Sequence, residues 1–316
     1  MGEITVRSGD VALHVRVEGS GPLIVCVHGW PELGHSWRHQ LAYFSARGFT
    51  VAALDVRGYG RSDKPWAVEA YTMRTLAADI AAVIDALGGS AILFGHDWGA
   101  PIVYATTLLY PDKVRAVAGL SVPFMPQTDT SFLELMRHVH KGKFFYQLYF
   151  QDEGRAEVEF GRDPATALTK LYIGASGSGD HATIGVLQPE DAEMLAHWPL
   201  PAALPDWFGA ADLAVYVEAF ASGGWRGPLN RYRAQVQDYA ERGELVGARI
   251  AQPAMFIGGA CDAVRRFVPG MDLYANAGGG CDDFRGTTIV PDVGHWVQQE
   301  APGAVNTALD AFVGGL

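Results

Sequence analysis

No stretch of the 316-residue chain approaches the ~20 uninterrupted apolar residues of a bilayer-crossing helix, so no membrane span is expected. Its start, Met-Gly-Glu-Ile-Thr-Val, lacks a basic segment followed by an apolar run, which argues against a signal peptide. Position six is Val6, not the Ser or Thr that myristoylation of Gly2 requires. Positive charge is also scarce. The formal net charge of -11 repels phosphate backbones and excludes nucleic acid as an expected partner. There are only three cysteines, Cys26, Cys261 and Cys281, an odd number without metal-ligand spacing. They read as ordinary packed thiols of a cytoplasmic protein.

What the chain does have is apolar material, 49% of residues, in an ordered alternation. Val11–Val17 alternates with period two, as an antiparallel strand does. Leu23–Val27, Val51–Leu54 and Ala91–Phe94 are short apolar runs, suited to strands buried on both faces. Between the last two, Met73, Leu76, Ala77, Ile80, Val83, Ile84 and Leu87 recur at helical steps, with Thr72 placed to cap the start and Gly88 the end. A helix over Ala100–Tyr110 carries Pro101 in its first turn, and a strand over Val114–Leu120 follows.

After Pro123 the alternation stops, and residues 123–228 read as helical and aromatic, with a Gly/Ser-rich interruption at 174–179. It resumes with a helix near Arg231–Arg242, strands at Ala254–Ile257 and Thr287–Val290, and a closing helix. This predicts an α/β fold: a mostly parallel central sheet flanked by helices, with a core of 1–122 and 229–316 and a helical cap inserted at 123–228. The segment 173–187, with Gly174, Gly177 and Gly179, matches no motif and reads as a mobile part of that cap. Gly278-Gly279-Gly280 reads as a surface loop.

The chemistry concentrates at Gly95-His96-Asp97-Trp98-Gly99, between a buried strand and a helix. That is the setting of a nucleophile elbow, a sharp turn presenting one side chain at the carboxyl end of a sheet. Serine is usual there; this chain has Asp97. Asp262 follows the strand Ala254–Ile257, and His295 follows Thr287–Val290. Nucleophile, acid and histidine thus occur in the order of the α/β-hydrolase triad, each just past a strand. His28-Gly29-Trp30-Pro31 follows Leu23–Val27, where that fold supplies oxyanion donors. Asp292, three residues before His295, competes with Asp262 but reads as a loop-shaping residue.

An aspartate nucleophile restricts the reaction. Attack on an ester carbonyl would give an anhydride, no easier to form than the ester was to break. Attack on a saturated carbon gives an alkyl ester that water can hydrolyse. Asp97 therefore points to an epoxide or an alkyl halide. In the second step His295, held by Asp262, would activate water, and backbone N–H groups of Trp30 and Trp98 would hold the oxyanion.

Over nearly its whole length the chain resembles the soluble epoxide hydrolases of the α/β-hydrolase fold. The resemblance rests on His28-Gly29-Trp30-Pro31-Glu32, on Asp55-Val56-Arg57-Gly58-Tyr59-Gly60-Arg61-Ser62-Asp63 and on Gly95 to Ala100. It extends to Phe145-Tyr146-Gln147-Leu148-Tyr149-Phe150-Gln151, Leu229-Asn230-Arg231-Tyr232-Arg233 and Gly294-His295-Trp296. The resemblance implies that two cap tyrosines, Tyr146 and Tyr232, hold the epoxide oxygen, and that no cofactor or metal is needed. A phenol of ordinary pKa about 10 stays protonated at neutral pH and is a competent acid toward an alkoxide. Tyr149, three residues from Tyr146, is the obvious decoy.

The expected partners are a hydrophobic epoxide and water; oligomeric state is left open, a homodimer included. A haloalkane dehalogenase is the nearest rival, but its usual halide-holding asparagine is replaced here by Trp30. A fluoroacetate-type dehalogenase usually has an arginine where this chain has Trp98. A non-catalytic member of the fold would have lost a triad residue, and none is lost. His28 and His96 read as structural, and Asp55, Arg57 and Asp63 as loop architecture. His138, His140, Lys141 and Lys143 read as a solvated helix face in preference to a metal site. Trp30, Trp98 and Trp296, among the eight tryptophans, stand beside the candidate catalytic residues.

Overall fold

The computed structural model describes residues 2–179 and 188–316; the remainder of the 173–187 segment, 180–187, lies outside the described residues. The chain opens with β1 (Gly2–Ser8), β2 (Val11–Gly19) and β3 (Leu23–Val27). Then come α1 (Arg38–Ser45), β4 (Thr50–Leu54), α2 (Met73–Leu87), β5 (Ala91–His96), α3 (Gly99–Leu109) and β6 (Val114–Leu120). Helices α4 (Phe132–Val139), α5 (Tyr146–Tyr149), α6 (Arg155–Gly161), α7 (Pro164–Gly174), α8 (Ala210–Gly223), α9 (Arg226–Arg233) and α10 (Gln235–Ala240) follow. The sheet resumes with β7 (Ile250–Gly259) and β8 (Cys281–Val290), and α11 (Val297–Glu300) and α12 (Pro302–Gly314) close the described chain.

The strands form one eight-stranded sheet in the order β1-β2-β4-β3-β5-β6-β7-β8. β1 and β2 are antiparallel additions; from β4 onward every neighbouring pair is parallel. Central strands β3 and β5 are buried throughout, because both faces are covered. Alternate residues of β3 serve opposite faces. Val25 and Val27 join the cluster that takes in α2 and α3, whereas Ile24 and Cys26 join Leu41 and Phe44 of α1 and Val305 and Leu309 of α12. All three cysteines are free.

β1 has no counterpart in the sequence pattern, because as an edge strand it buries only Val6. β7 and β8 begin earlier than their apolar cores suggest, since Ala251–Pro253 and Asp282–Arg285 are partly or fully exposed and carry no apolar run. The helix expected at Arg231–Arg242 is two helices, α9 and α10, meeting at Ala234, and α9 starts at Arg226. Thr72 caps α2, its hydroxyl accepting from the Thr75 N–H. Gly280 is buried rather than part of a free surface loop; its carbonyl accepts from Ile250 N–H, and a Cβ there would meet the Phe124 ring at 2.4 Å. No helix among the described residues is long and apolar enough to cross a membrane.

Candidate active site

β5 ends at His96 and α3 begins at Gly99, leaving Asp97 to make the turn. Its φ is +51°, a left-handed conformation uncommon for a residue with a side chain. The turn is tight enough that a Cβ on Gly99 would lie 2.0 Å from the Val27 carbonyl oxygen. The loop after β3 presses just as closely. A Cβ on Gly29 would meet Asp97 Oδ1 at 2.3 Å and the Trp98 nitrogen at 2.6 Å. That approach lets Trp30 N–H donate to Asp97 Oδ1 at 2.7 Å. Trp98 N–H lies at the N-terminus of α3, beside the same loop.

His295 stands between two carboxylates. Its Nε2 is 3.3 Å from Asp97 Oδ2, and its Nδ1 is 3.0 Å from Asp262 Oδ2. Nδ1 is hydrogen-bonded to Asp262 and Nε2 faces the Asp97 carboxylate, so the ring stands between two acceptors, a setting that favours the imidazolium. Burial opposes that charge, but Asp262 and Asp97 outweigh it and hold His295 well above the usual histidine range. Asp262 is buried too. Against that cost, the His295 charge and hydrogen bonds from His295, Tyr274 and Val264 N–H keep its carboxyl below the usual range.

The histidine loop is clamped through its backbone. His295 N–H donates to Ala175 O at 2.8 Å, and His295 O accepts from Ser121 Oγ and His96 Nε2, both at 2.7 Å. The other ring nitrogen of His96 is 2.6 Å from Glu32. Glu32 also accepts from Gly29 N–H at 3.0 Å and from Gln298 and Gln299 at 2.8 and 3.2 Å. Burial alone would raise its carboxyl; the adjoining His96 charge and these donors hold it at about 2. His28 has a scaffold geometry, donating from Nδ1 to Gly29 O at 2.8 Å and accepting Val56 N–H at 2.9 Å.

Tyr146 on α5 and Tyr232 on α9 border the same cavity as Asp97, Asp262 and His295. Its empty space is about 540 Å³, and its walls include Trp30, Leu171, Met194, Trp198, Phe267 and Trp296. Tyr232 is buried against Trp98, Phe150 and Trp30 at ring separations of 5.3, 4.8 and 5.9 Å. Burial, with Asp97 nearby, pushes both phenols up, so they remain protonated. Tyr149 faces elsewhere and donates to Glu159 at 2.6 Å.

The solvated reading of the 138–143 cluster needs correction at His140, which is buried and stacked on Phe145 at 4.5 Å. Arg57 makes a buried two-point pair with Asp79, at 2.8 and 2.6 Å. Asp55 accepts from Gly34 and Arg61 N–H, and Asp63 from Ala12 N–H. Three contributors escape sequence reasoning. Glu32 lies inside a quoted motif, but its burial has no sequence signature. Glu300 accepts N–H groups from Gly177, Gly294 and Trp296, tying the helical segment to the histidine loop. Tyr274 lies in a stretch with no motif at all.

The sheet order, the elbow after β5 and the histidine after β8 define the α/β-hydrolase fold. The family model described as alpha/beta hydrolase fold matches residues 22–302. Epoxide hydrolase A of Mycobacterium tuberculosis is 38% identical, the match covering 100% of this chain and 99% of that protein. Among solved structures, an epoxide hydrolase from an endophytic Streptomyces superposes with a TM-score of 0.93 at 38% identity, covering 99% of this chain and 95% of that one. Epoxide Hydrolase A from Mycobacterium thermoresistibile gives 0.92 at 40% identity, covering 100% and 98%. The chain belongs to the epoxide hydrolases of the α/β-hydrolase family.

Proposed function

We propose that the chain converts a hydrophobic epoxide to a vicinal diol in two steps, through an ester on Asp97. The observation that carries this is the carboxylate at the elbow, with Trp30 N–H on one oxygen, His295 on the other, and two protonated phenols bordering the same cavity.

Oδ1 is engaged by the Trp30 amide, so Oδ2 is the attacking atom. As its bond to carbon forms, the epoxide C–O bond breaks and the electron pair passes to the epoxide oxygen. Tyr146 and Tyr232 bind that oxygen, and one of them gives it a proton. Oδ1 becomes the ester carbonyl, already beside the Trp30 and Trp98 amides that would hold an oxyanion. The phenolate left by the first step takes the proton that His295 carried in the free enzyme; His295, now neutral and oriented by Asp262, takes a proton from water, and the hydroxide adds to the ester carbon. Collapse releases the diol, whose leaving oxygen takes the proton of the new carboxyl group, and this restores the Asp97 carboxylate beside a protonated His295. Residues 123–228, read as a cap, would carry Tyr146 and much of the apolar wall; Trp198, Phe267 and Trp296 favour an aryl-bearing substrate.

A single turnover in ¹⁸O-water tests the ester. With enzyme in excess, the first label should enter the Asp97 carboxylate and leave the first diol unlabelled. Label in the first diol would mean that water attacks the epoxide directly. Better turnover of short aliphatic epoxides than of styrene-type ones would refute the aryl preference.

A further inference from the structure

The acid of the triad has an additional hydrogen-bond donor. Tyr274, in the chain between β7 and β8, is buried, and its hydroxyl lies 2.7 Å from Asp262 Oδ2 and 2.7 Å from the carbonyl oxygen of Ser121. The fold reserves room for the ring. It packs on Phe256 of β7 at 4.7 Å, and a Cβ on Gly258 would come within 2.4 Å of it. The Tyr274 N–H is itself fixed by Asp272 at 3.0 Å.

One hydroxyl proton faces two acceptors. The carboxylate attracts it more strongly as Asp262 becomes less well neutralised. Asp262 is best neutralised when His295 is an imidazolium and least when His295 is neutral and ready to take a proton from water. The Tyr274 proton therefore supports Asp262 most in the base-ready state. We propose that Tyr274 is a positioning residue that, through Asp262, sets how readily His295 gives up its proton. This rests on the reading of His295 as the base of ester hydrolysis.

Other charged groups act on the same pair. His295 is faced by Asp97 and by the His96 ring, 4.9 Å away. Arg265, Glu300 and Tyr146 lie within the field of Asp262. None of these donates to Asp262 Oδ2; Tyr274 and His295 do.

The test is Tyr274→Phe, which keeps the ring and leaves Val264 N–H on Asp262 Oδ1 at 2.9 Å. Ester hydrolysis is followed in single turnover against pH, with the Asp97 ester quantified by mass. Without the phenol, Asp262 concentrates its charge on the imidazolium, so the acidic limb should move to higher pH by on the order of half a unit. The alkaline plateau should be retained within about threefold. Placing 3-fluorotyrosine at 274, a stronger donor, should move the limb the opposite way. A wild-type limb that neither change displaces overturns the role of Tyr274 alone, even if the plateau falls. A wild-type ester whose hydrolysis shows no acidic limb removes His295 as the base, and the inference with it.

Discussion

Replacing Tyr146 and Tyr232 by phenylalanine, singly and together, tests the first chemical step. Phenylalanine keeps the ring contacts of Tyr232 with Trp98, Phe150, Trp30 and Tyr146, so the fold should survive. What disappears is one O–H donor to an oxygen that gains negative charge in the transition state. Gln147 Nε2 donates to the Tyr146 oxygen at 3.0 Å, which leaves the phenolic proton available to substrate. A hydrogen bond to a charged group is worth roughly 1.5–3 kcal/mol. At about 1.4 kcal/mol per tenfold in rate, each single variant should alkylate Asp97 on the order of 10- to 150-fold more slowly. The double variant loses both proton sources and should fall below the product of the two single effects. The assay is ester formation in single turnover, read by the mass of the Asp97 peptide, with hydrolysis of the preformed ester as the internal control. A single variant that alkylates within about threefold of wild type would refute the role of that phenol in opening the ring.

The remaining predictions concern the nucleophile, the base and acid stability. Gly29→Ala drives a methyl group into Asp97 Oδ1 and the Trp98 amide, so turnover should fall by about 100-fold or more with circular dichroism unchanged; near-normal turnover would show that the loop can yield. His295→Gln should accumulate the Asp97 ester as a stable mass increase, and epoxide consumption without that increase would remove His295 as the water-activating base. In the free enzyme His295 should titrate well above the usual range, by NMR, and above the acidic limb of ester hydrolysis, because the ester no longer carries the Asp97 charge; coincident values would refute this. Glu32 and Asp55 are both held at about 2, so their contribution is present above their unfolded values near 4 and is lost as pH falls toward 2. Each is worth on the order of 2–3 kcal/mol, and acid unfolding followed by fluorescence should fall in that window and shift upward in Asp55→Asn.

Much of the architecture was legible because central parallel strands are covered on both faces. That produces unbroken apolar runs such as Leu23–Val27 and Ala91–Phe94, which hardly any other element imitates at that length. Edge elements were not legible: β1 buries a single residue, and a strand without an apolar face has no pattern to read. Asp97, Asp262 and His295 could be singled out because each lies shortly past the end of a strand. The tyrosines could not. Tyr146 and Tyr149 share a short helix and the same local composition, and only the resemblance separated them. The structure distinguishes them by partner, Tyr149 facing Glu159 and Tyr146 the cavity. Tyr274 reaches the Ser121 carbonyl and Glu300 the Gly177 N–H across 153 and 123 residues of sequence, which no local pattern records.

The arrangement around His295 also bears on why an aspartate suits the nucleophile position. In the free enzyme Nδ1 is bonded to Asp262, Nε2 faces Asp97 and the ring is held protonated, so the histidine has no lone pair with which to take a proton. On the proposed mechanism, direct attack of water on the epoxide would lack its base. In the proposed mechanism, ester formation would turn the Asp97 carboxylate into a neutral acyl group and delete one of the two charges that hold the proton on the ring. The imidazolium would then lose its partner at Nε2 while Nδ1 stays on Asp262, and the ring could release its proton facing the ester. A neutral serine in the same place would supply no charge to delete. On this account the alkylation step itself generates the base for the second step, and Trp30 N–H, already on Oδ1, needs no rearrangement to receive the charge that follows.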